Sequence, residues 1–296
     1  MSARLALIVA DDFGIGPETS RGIVDLGLMG RLSAAVLLVN TPYTESAVQI
    51  WRHAGRPMDL GWHPNLTLDA PILPPSEVPS LVTTSGRFHS LASFVIRCLS
   101  GRIRYDEVFT EFEAQFQRYC ELVGERPRLV NSHQHVAVFE PVQSALLEIL
   151  SRQTPRPYLR RVVEPAATLA SVPGARFKRA MLTLFGRRGA RAARLAGCPG
   201  CDALLGVTAP RHVFNEPFFQ RWIEAAPGRA AEFMVHPGHR DVTLIGRDCS
   251  NGPAIERRVR EWELIQRPEF EESLRSAGFV LAHVDQFLSP ATAQAA

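Results

Sequence analysis

The stretch LALIVADDFGIG, residues 5–16, carries six apolar residues into two adjacent aspartates, Asp11 and Asp12, and then into a turn marked by Gly14 and Gly16. An unbroken apolar run of this length reads as a strand covered on both faces, which is how strands sit in a parallel sheet flanked by helices. The same signature recurs at SAAVLLVN (33–40), DLGWHPNL (59–66), RLVNSHQHV (128–136), YLRRVV (158–163), ALLGVT (203–208), AEFMVHPG (231–238) and FVLAHVD (279–285). Helix-like stretches fill the intervals at 20–29, 44–54, 105–124, 140–152, 216–226 and 254–265, and in the longest of them Val108, Phe112, Phe116 and Tyr119 form one apolar stripe. Strand and helix alternate along nearly the whole chain, so the fold class is α/β. About seven or eight such units suit a barrel, with an open doubly wound sheet as the alternative. The ionisable residues favour the barrel, because Asp11, Asp12, His63, His133, His135 and His236 all fall at the carboxyl ends of predicted strands, where barrels keep their active sites. This reading gives one barrel domain over 1–288 and a flexible tail over 289–296.

With 296 residues, 46% of them hydrophobic, the chain can bury a large core, which excludes the disordered class. Its 33 Lys plus Arg against 30 Asp plus Glu leave a formal charge of +3, without the clustered basic excess of a nucleic-acid binder. Five cysteines (Cys98, Cys120, Cys198, Cys201, Cys249) are too sparse for a disulfide framework and fit a reducing compartment. The CPGC at 198–201 lacks both a second Cys pair for zinc and the strand-to-helix setting of a redox motif. The first apolar run is followed by two aspartates instead of a signal-peptide cleavage site, and no stretch approaches the roughly 18 to 20 apolar residues of a membrane span. A cytoplasmic protein with no transmembrane segment is expected.

Two segments break the rhythm. Residues 69–90 carry Pro71, Pro74, Pro75 and Pro79 and are expected to form a loop over the site. Residues 171–197 hold Arg176, Lys178, Arg179, Arg187, Arg188, Arg191 and Arg194 with no acidic residue, interleaved with Phe177, Met181, Leu182, Leu184 and Phe185. Such a segment is either the solvated face of an ordinary helix pair or a contact with an anionic membrane surface.

Two carboxylates at a point where pleating stops can divide labour: one ligates a divalent metal, the other takes a proton from water. Alone, an Asp-Asp pair is as well explained as a turn or N-cap feature, and a lone His63 in GWHPNLT as a satisfied imidazole. His133 and His135 in NSHQHV supply company, since at i and i+2 of a strand their side chains share a face. Asp12, His63 and His133 would then give one carboxylate and two imidazoles, a facial set with open positions, as in catalytic metal sites. Zinc, Mg²⁺, Co²⁺ and Mn²⁺ all suit these donors. His236 in MVHPG can protonate a leaving amine, and Arg160 in YLRRVV can hold a polar substrate or an oxyanion. His135, Asn65 and Asn131 are further candidate substrate contacts. GIGPETSRG lacks the glycine spacing of a dinucleotide fingerprint, so no organic cofactor is expected.

VADDFGIG, GWHPNLT, NSHQHV and MVHPG, in this order and at these strand ends, closely resemble the YdjC-like carbohydrate deacetylase family, which includes chitooligosaccharide deacetylases and the hopanoid-associated HpnK proteins. The resemblance covers roughly residues 4 to 288. It implies a distorted (β/α) barrel like that of polysaccharide deacetylases, a divalent metal, and hydrolysis of an N-acetyl group from an amino sugar, soluble or lipid-linked. It further implies that Asp11 is the general base, that Asp12, His63 and His133 are metal ligands, and that His236 is a general acid or substrate contact. A homodimer is a further implication. The chain departs from the family at Ala137, where members often carry the third histidine of His-x-His-x-His; this puts substrate choice or rate in doubt, not the metal. A metal-dependent amidohydrolase or phosphoesterase on a similar barrel would use the same ligand types, and a non-catalytic sugar-binding relative would follow if Ala137 marked decay.

Overall fold

A computed structural model describes residues 3–215, 217–248 and 252–288. The strands are β1 (Arg4–Phe13), β2 (Ala34–Leu37), β3 (Asp59–Trp62), β4 (Leu129–Val130), β5 (Tyr158–Leu159), β6 (Leu204–Leu205), β7 (Ala230–Val235) and β8 (Phe279–Leu281), one at each apolar run picked out above, with β1 and β7 starting one residue before theirs. The helices are α1 (Pro17–Leu28), α2 (Thr44–His53), α3 (Leu91–Leu99), α4 (Tyr105–Val123), α5 (Val142–Ser151), α6 (Ala166–Ser171), α7 (Arg176–Leu195), α8 (Phe218–Glu224), α9 (Gly252–Gln266), α10 (Pro268–Ser276) and α11 (Asp285–Leu288).

All strand pairs are parallel, in the order β5-β4-β3-β2-β1-β7-β6. The long β1 is the hub: residues 5–10 pair with β7, residues 9–13 with β2, and residues 4–6 with β8. The outermost strands approach each other, for the Leu159 N–H donates to the Pro199 carbonyl at 2.8 Å and the Leu204 N–H to the Val163 carbonyl at 2.9 Å. These bonds curl the sheet into a distorted parallel barrel, as expected.

Alternation along β1 sorts its side chains. Leu7 and Val9 cluster inside the barrel with Ala34, Val36, Leu129 and Tyr158, whereas Ala6, Ile8 and Ala10 join the larger core under the helices with Leu37, Trp51 and Phe233. Both sets are fully buried, which is why the run reads as continuously apolar. Each large apolar side chain so buried contributes ~1.5–3 kcal/mol. The stripe predicted on α4 packs as drawn: Val108, Phe112 and Tyr119 are buried in that core and Phe116 lies against it.

Two expectations are corrected. Residues 69–90 do not cover the site; Val78, Leu81 and Phe88 are core residues, and the loop backbone is pinned by buried carboxylates of α4, with Glu111 accepting from the Ile72 and Leu73 N–H groups at 2.9 and 3.0 Å and Glu107 from Ser80 at 2.6 Å. Proline-rich chain that cannot satisfy its own N–H groups is held here by side chains. The run 128–136 is not a continuous strand either. Pairing ends at Val130, and His133–Val138 is a 3₁₀ segment in which Gln134 and His135 take left-handed conformations, φ 50° and 58°. The proposed tail, 289–296, lies outside the described residues. Among the described residues, no helix is long and apolar enough to cross a membrane.

Candidate active site

Regular pleating would send Asp11 and Asp12 to opposite faces of the sheet. Asp11 continues the inward column of Leu7 and Val9, while Asp12 sits at φ 65°, and the β1/β2 register shifts between Ala10 and Phe13. That irregularity turns both carboxylates into one cavity of about 390 Å³ at the carboxyl end of the barrel. The turn that follows needs its glycines. Gly14 is at φ 87°, and a Cβ on Gly16 would fall 2.3 Å from Asp241 Oδ2.

Asp12, His63 and His133 converge, all buried, with their donor atoms within 4.8 Å of one another. Asp12 Oδ1 lies 3.2 Å from His63 Nε2 and 2.9 Å from His133 Nδ1. His63 Nδ1 lies 2.7 Å from the Asn131 carbonyl. A carbonyl only accepts, so Nδ1 of His63 carries a proton, which leaves Nε2, the nitrogen that faces Asp12, as the one a metal ion would take. His133 Nε2 is buried with no partner. The donor set therefore fits a divalent metal ion. Burial alone would raise the Asp12 carboxyl, but Arg258, whose Nη2 lies 2.6 Å from Oδ2, and the two histidines hold it well below the ordinary carboxylate range. Burial opposes charge on His133, yet Asp12 raises it above the ordinary imidazole value.

Asp11 is held differently. Arg160 grips both its oxygens, at 2.6 and 2.8 Å, and sends Nε to Glu232 at 2.6 Å. Tyr158 donates to the other Glu232 oxygen at 2.7 Å, and Asn131 Nδ2 reaches Asp11 at 3.4 Å. Arg160 is thus a buried clamp on Asp11. His236 lines the same cavity, and Arg257 Nη2 lies 3.0 Å from its Nδ1. A guanidinium only donates, so this nitrogen is the acceptor and the neutral ring carries its proton on Nε2. Burial first, and then Arg257, push His236 well below the usual imidazole value, which disfavours a charged acid in the resting site. His135 also borders the cavity, through the left-handed turn instead of strand alternation.

The structure does not bring Asn65 in. It is fully buried, its amide nitrogen donates to Asn40 and Leu68 at 3.0 and 2.8 Å, and its oxygen accepts from Thr67 and Leu68, so it shapes the loop after β3. Asn131 serves through its backbone carbonyl and its bond to Asp11. Residues that sequence reasoning missed are Glu232, Asp248, Arg257 and Arg258. Only Glu232 left a trace, as the single acid inside the apolar run AEFMV. The arginines of α9 sit among many exposed ones in the chain. The outer wall of the cavity is apolar, with Leu91 and Val95 from α3 and Met181, Leu182 and Phe185 from α7, so the basic segment 171–197 forms one side of the mouth.

Residues 5–276 match the family described as YdjC-like protein. The carbohydrate deacetylase of Mus musculus is 32% identical over 304 residues, covering 95% of this chain and 94% of the relative, and that of Enterococcus faecalis is 26% identical over 96% and 98%. A chitooligosaccharide deacetylase of Proteus mirabilis is 30% identical over 51% of this chain and 57% of its own. Among solved structures, a putative cellobiose-phosphate cleavage protein from Enterococcus faecalis superposes with a TM-score of 0.70 at 23% identity, covering 96% of this chain and 99% of that one, which shows the shared fold. With a match to the family over nearly its whole length, this chain belongs to the YdjC-like proteins.

Proposed function

We propose that this chain is a metal-dependent hydrolase that removes the N-acetyl group from an N-acetylated amino sugar, in an oligosaccharide or a glycolipid, yielding acetic acid and a free amine. The observation that carries the proposal is the division of labour between adjacent carboxylates in one cavity: Asp12 faces two imidazoles, Asp11 faces a guanidinium. The names of the relatives support the substrate class. The barrel over 1–288 works as one domain, in the cytoplasm.

Asp12, His63 and His133 would hold the ion, zinc or magnesium with cobalt and manganese as substitutes; when bound, it polarises the acetyl carbonyl and makes water a better nucleophile. Asp11 takes the proton that water loses as its oxygen bonds to the carbonyl carbon. Arg160 keeps Asp11 aimed, and Oδ2, which accepts one bond where Oδ1 accepts two, retains a second lone pair for that proton. When the C–N bond breaks, the departing nitrogen gains a proton, for which protonated Asp11 is the donor at hand. His236 contacts the substrate through Nε2–H. The apolar mouth and the exposed Phe177 and Leu184 of the basic helix α7 favour a sugar with an apolar aglycone over a bare oligosaccharide.

The test is acetate release from N-acetylglucosamine oligomers and from an N-acetylglucosaminyl lipid, by metal-stripped protein and after adding Zn²⁺, Mg²⁺ or Co²⁺. Asp11→Asn is expected to lower kcat by roughly 10²–10⁴-fold with metal affinity intact, and Asp12→Asn to abolish metal binding in calorimetry. Metal-independent release, or an active Asp11→Asn variant, would sink the assignment.

A further inference from the structure

A second, smaller cavity of about 40 Å³ lies between the 3₁₀ segment 133–138, α5 and α7, and His135 borders both it and the metal cavity. Three polar atoms of its lining residues are buried without a partner: His135 Nδ1, Asn131 Oδ1 and Gln143 Oε1. The three residues are 8%, 1% and 6% exposed. A buried polar atom without a partner is costly, so three around one cavity point to an occupant. The remaining lining is largely aliphatic, from Leu146, Leu159 and Ala190 among others. Arg160 and Asn131 line this cavity too, and both bond Asp11.

We infer that this cavity is a binding site for a short carboxylic acid, acetic acid or acetate, set behind the reacting centre. A water needs roughly 10–15 Å³ of such space, so the volume accommodates about three water-sized groups, the bulk of a two-carbon acid. The mixed lining matches that acid. Its methyl group meets the aliphatic side chains, and its carboxyl meets the His135 N–H and, after a half-turn of the amide, the Gln143 NH₂. Asn131 Oδ1 accepts the acid's O–H, and Arg160 supplies positive charge. Ala137 opens the space; a larger side chain there would occupy it. The inference deepens the deacetylase reading and rests on it for the acid's origin: hydrolysis makes one acetic acid per turnover while the sugar still fills the mouth.

The test measures binding of ¹³C-acetate to the full-length, zinc-loaded chain by NMR, without substrate, for the parent, Ala137→Leu and Gln143→Leu, alongside a crystal soaked in acetate. We expect both variants to bind acetate at least 10-fold more weakly with zinc affinity unchanged, and the crystal to show acetate behind His135. Parent-like acetate affinity in the variants, or a cavity filled by water with acetate only at the zinc ligands, would overturn the site. Where one variant fails to fold, the other and the crystal decide. Acetate bound behind His135 in a protein that releases none from amino sugars would overturn the deacetylase reading and leave the site standing.

Discussion

The two ends of the barrel carry cavities of opposite character. At the amino end, a cavity of about 930 Å³ is lined by residues that include Arg156, Arg161, Arg194, Cys198 and Cys201. The cavity at the carboxyl end is less than half that size. At the larger one the charges have ordinary partners: Arg161 pairs with Asp202 at 3.0 Å, Arg194 pairs with the same carboxylate, and burial pushes both thiols up, away from the reactive thiolate. Of its polar lining atoms, only Arg161 Nε is buried without a partner among the described residues. Around the carboxyl end, His133 Nε2, His135 Nδ1, Asn131 Oδ1 and Arg258 Nη1 are all left so. Volume therefore does not set the candidate site apart from the other end of this barrel; unmet hydrogen-bonding capacity does.

If that contrast is sound, the ion pairs of the carboxyl end are coupled and those of the amino end are not. Arg160→Met would strand Asp11 and Glu232 as buried, uncompensated carboxylates, each now bonded to the same guanidinium. Removing one partner of a buried pair costs ~3–5 kcal/mol, so urea denaturation should show a loss of that order together with a fall in kcat. A loss within ~1 kcal/mol would mean that the network is solvated and the contrast false.

A smaller effect should appear in the pH dependence. Burial, and then Arg257, depress His236, and burial, and then Arg160 and Lys178, depress His135. In the unfolded chain both imidazoles take up protons near pH 6.5. A group whose folded pKa is lowered contributes stability that is present above its unfolded pKa and lost as pH falls toward the folded one. These two histidines should therefore cost the metal-free protein stability from pH 7 to pH 5, by at most ~1.4 kcal/mol per pH unit each, offset in part by His133, whose raised value adds stability as pH falls. His236→Gln should flatten that slope, as read by denaturation at each pH; an unchanged slope would place the ring in water.

Most of the barrel was legible in the sequence because fully buried parallel strands write themselves as apolar runs, and each run holds one strand. What could not be read is where pairing stops. NSHQHV looks like strand because nothing in its residue types announces the left-handed Gln134 and His135. The convergence of Asp12, His63 and His133 was legible because each closes an apolar run. The Asp11 clamp was half legible: Arg160 was visible, but its partner Glu232 lies in another strand, and only the pairing of β1 with β7, which sets Glu232 opposite Leu7 on the inward column that Asp11 continues, brings both acids within reach of Arg160. Arg257 and Arg258 come from α9, about 250 residues from Asp12, and long-range partners of that kind leave no local signal.

The smallest predicted effect is at the amino end. Cys198 and Cys201 are 2% and 4% exposed, and each thiol is raised by burial, so neither offers a nucleophile or a ready metal ligand at neutral pH. A Cys198→Ala/Cys201→Ala variant should keep kcat and metal affinity within about twofold and lose only the packing of two small buried side chains, ~1 kcal/mol apiece by the transfer of one sulfur-sized group. Slow alkylation of both thiols by iodoacetamide in the folded protein, with no change in acetate release, would agree. If instead the double variant lost activity while keeping its stability, the larger cavity would have a part in turnover, and the rule that unpartnered polar atoms, not volume, locate function in this fold would fail at its first counterexample.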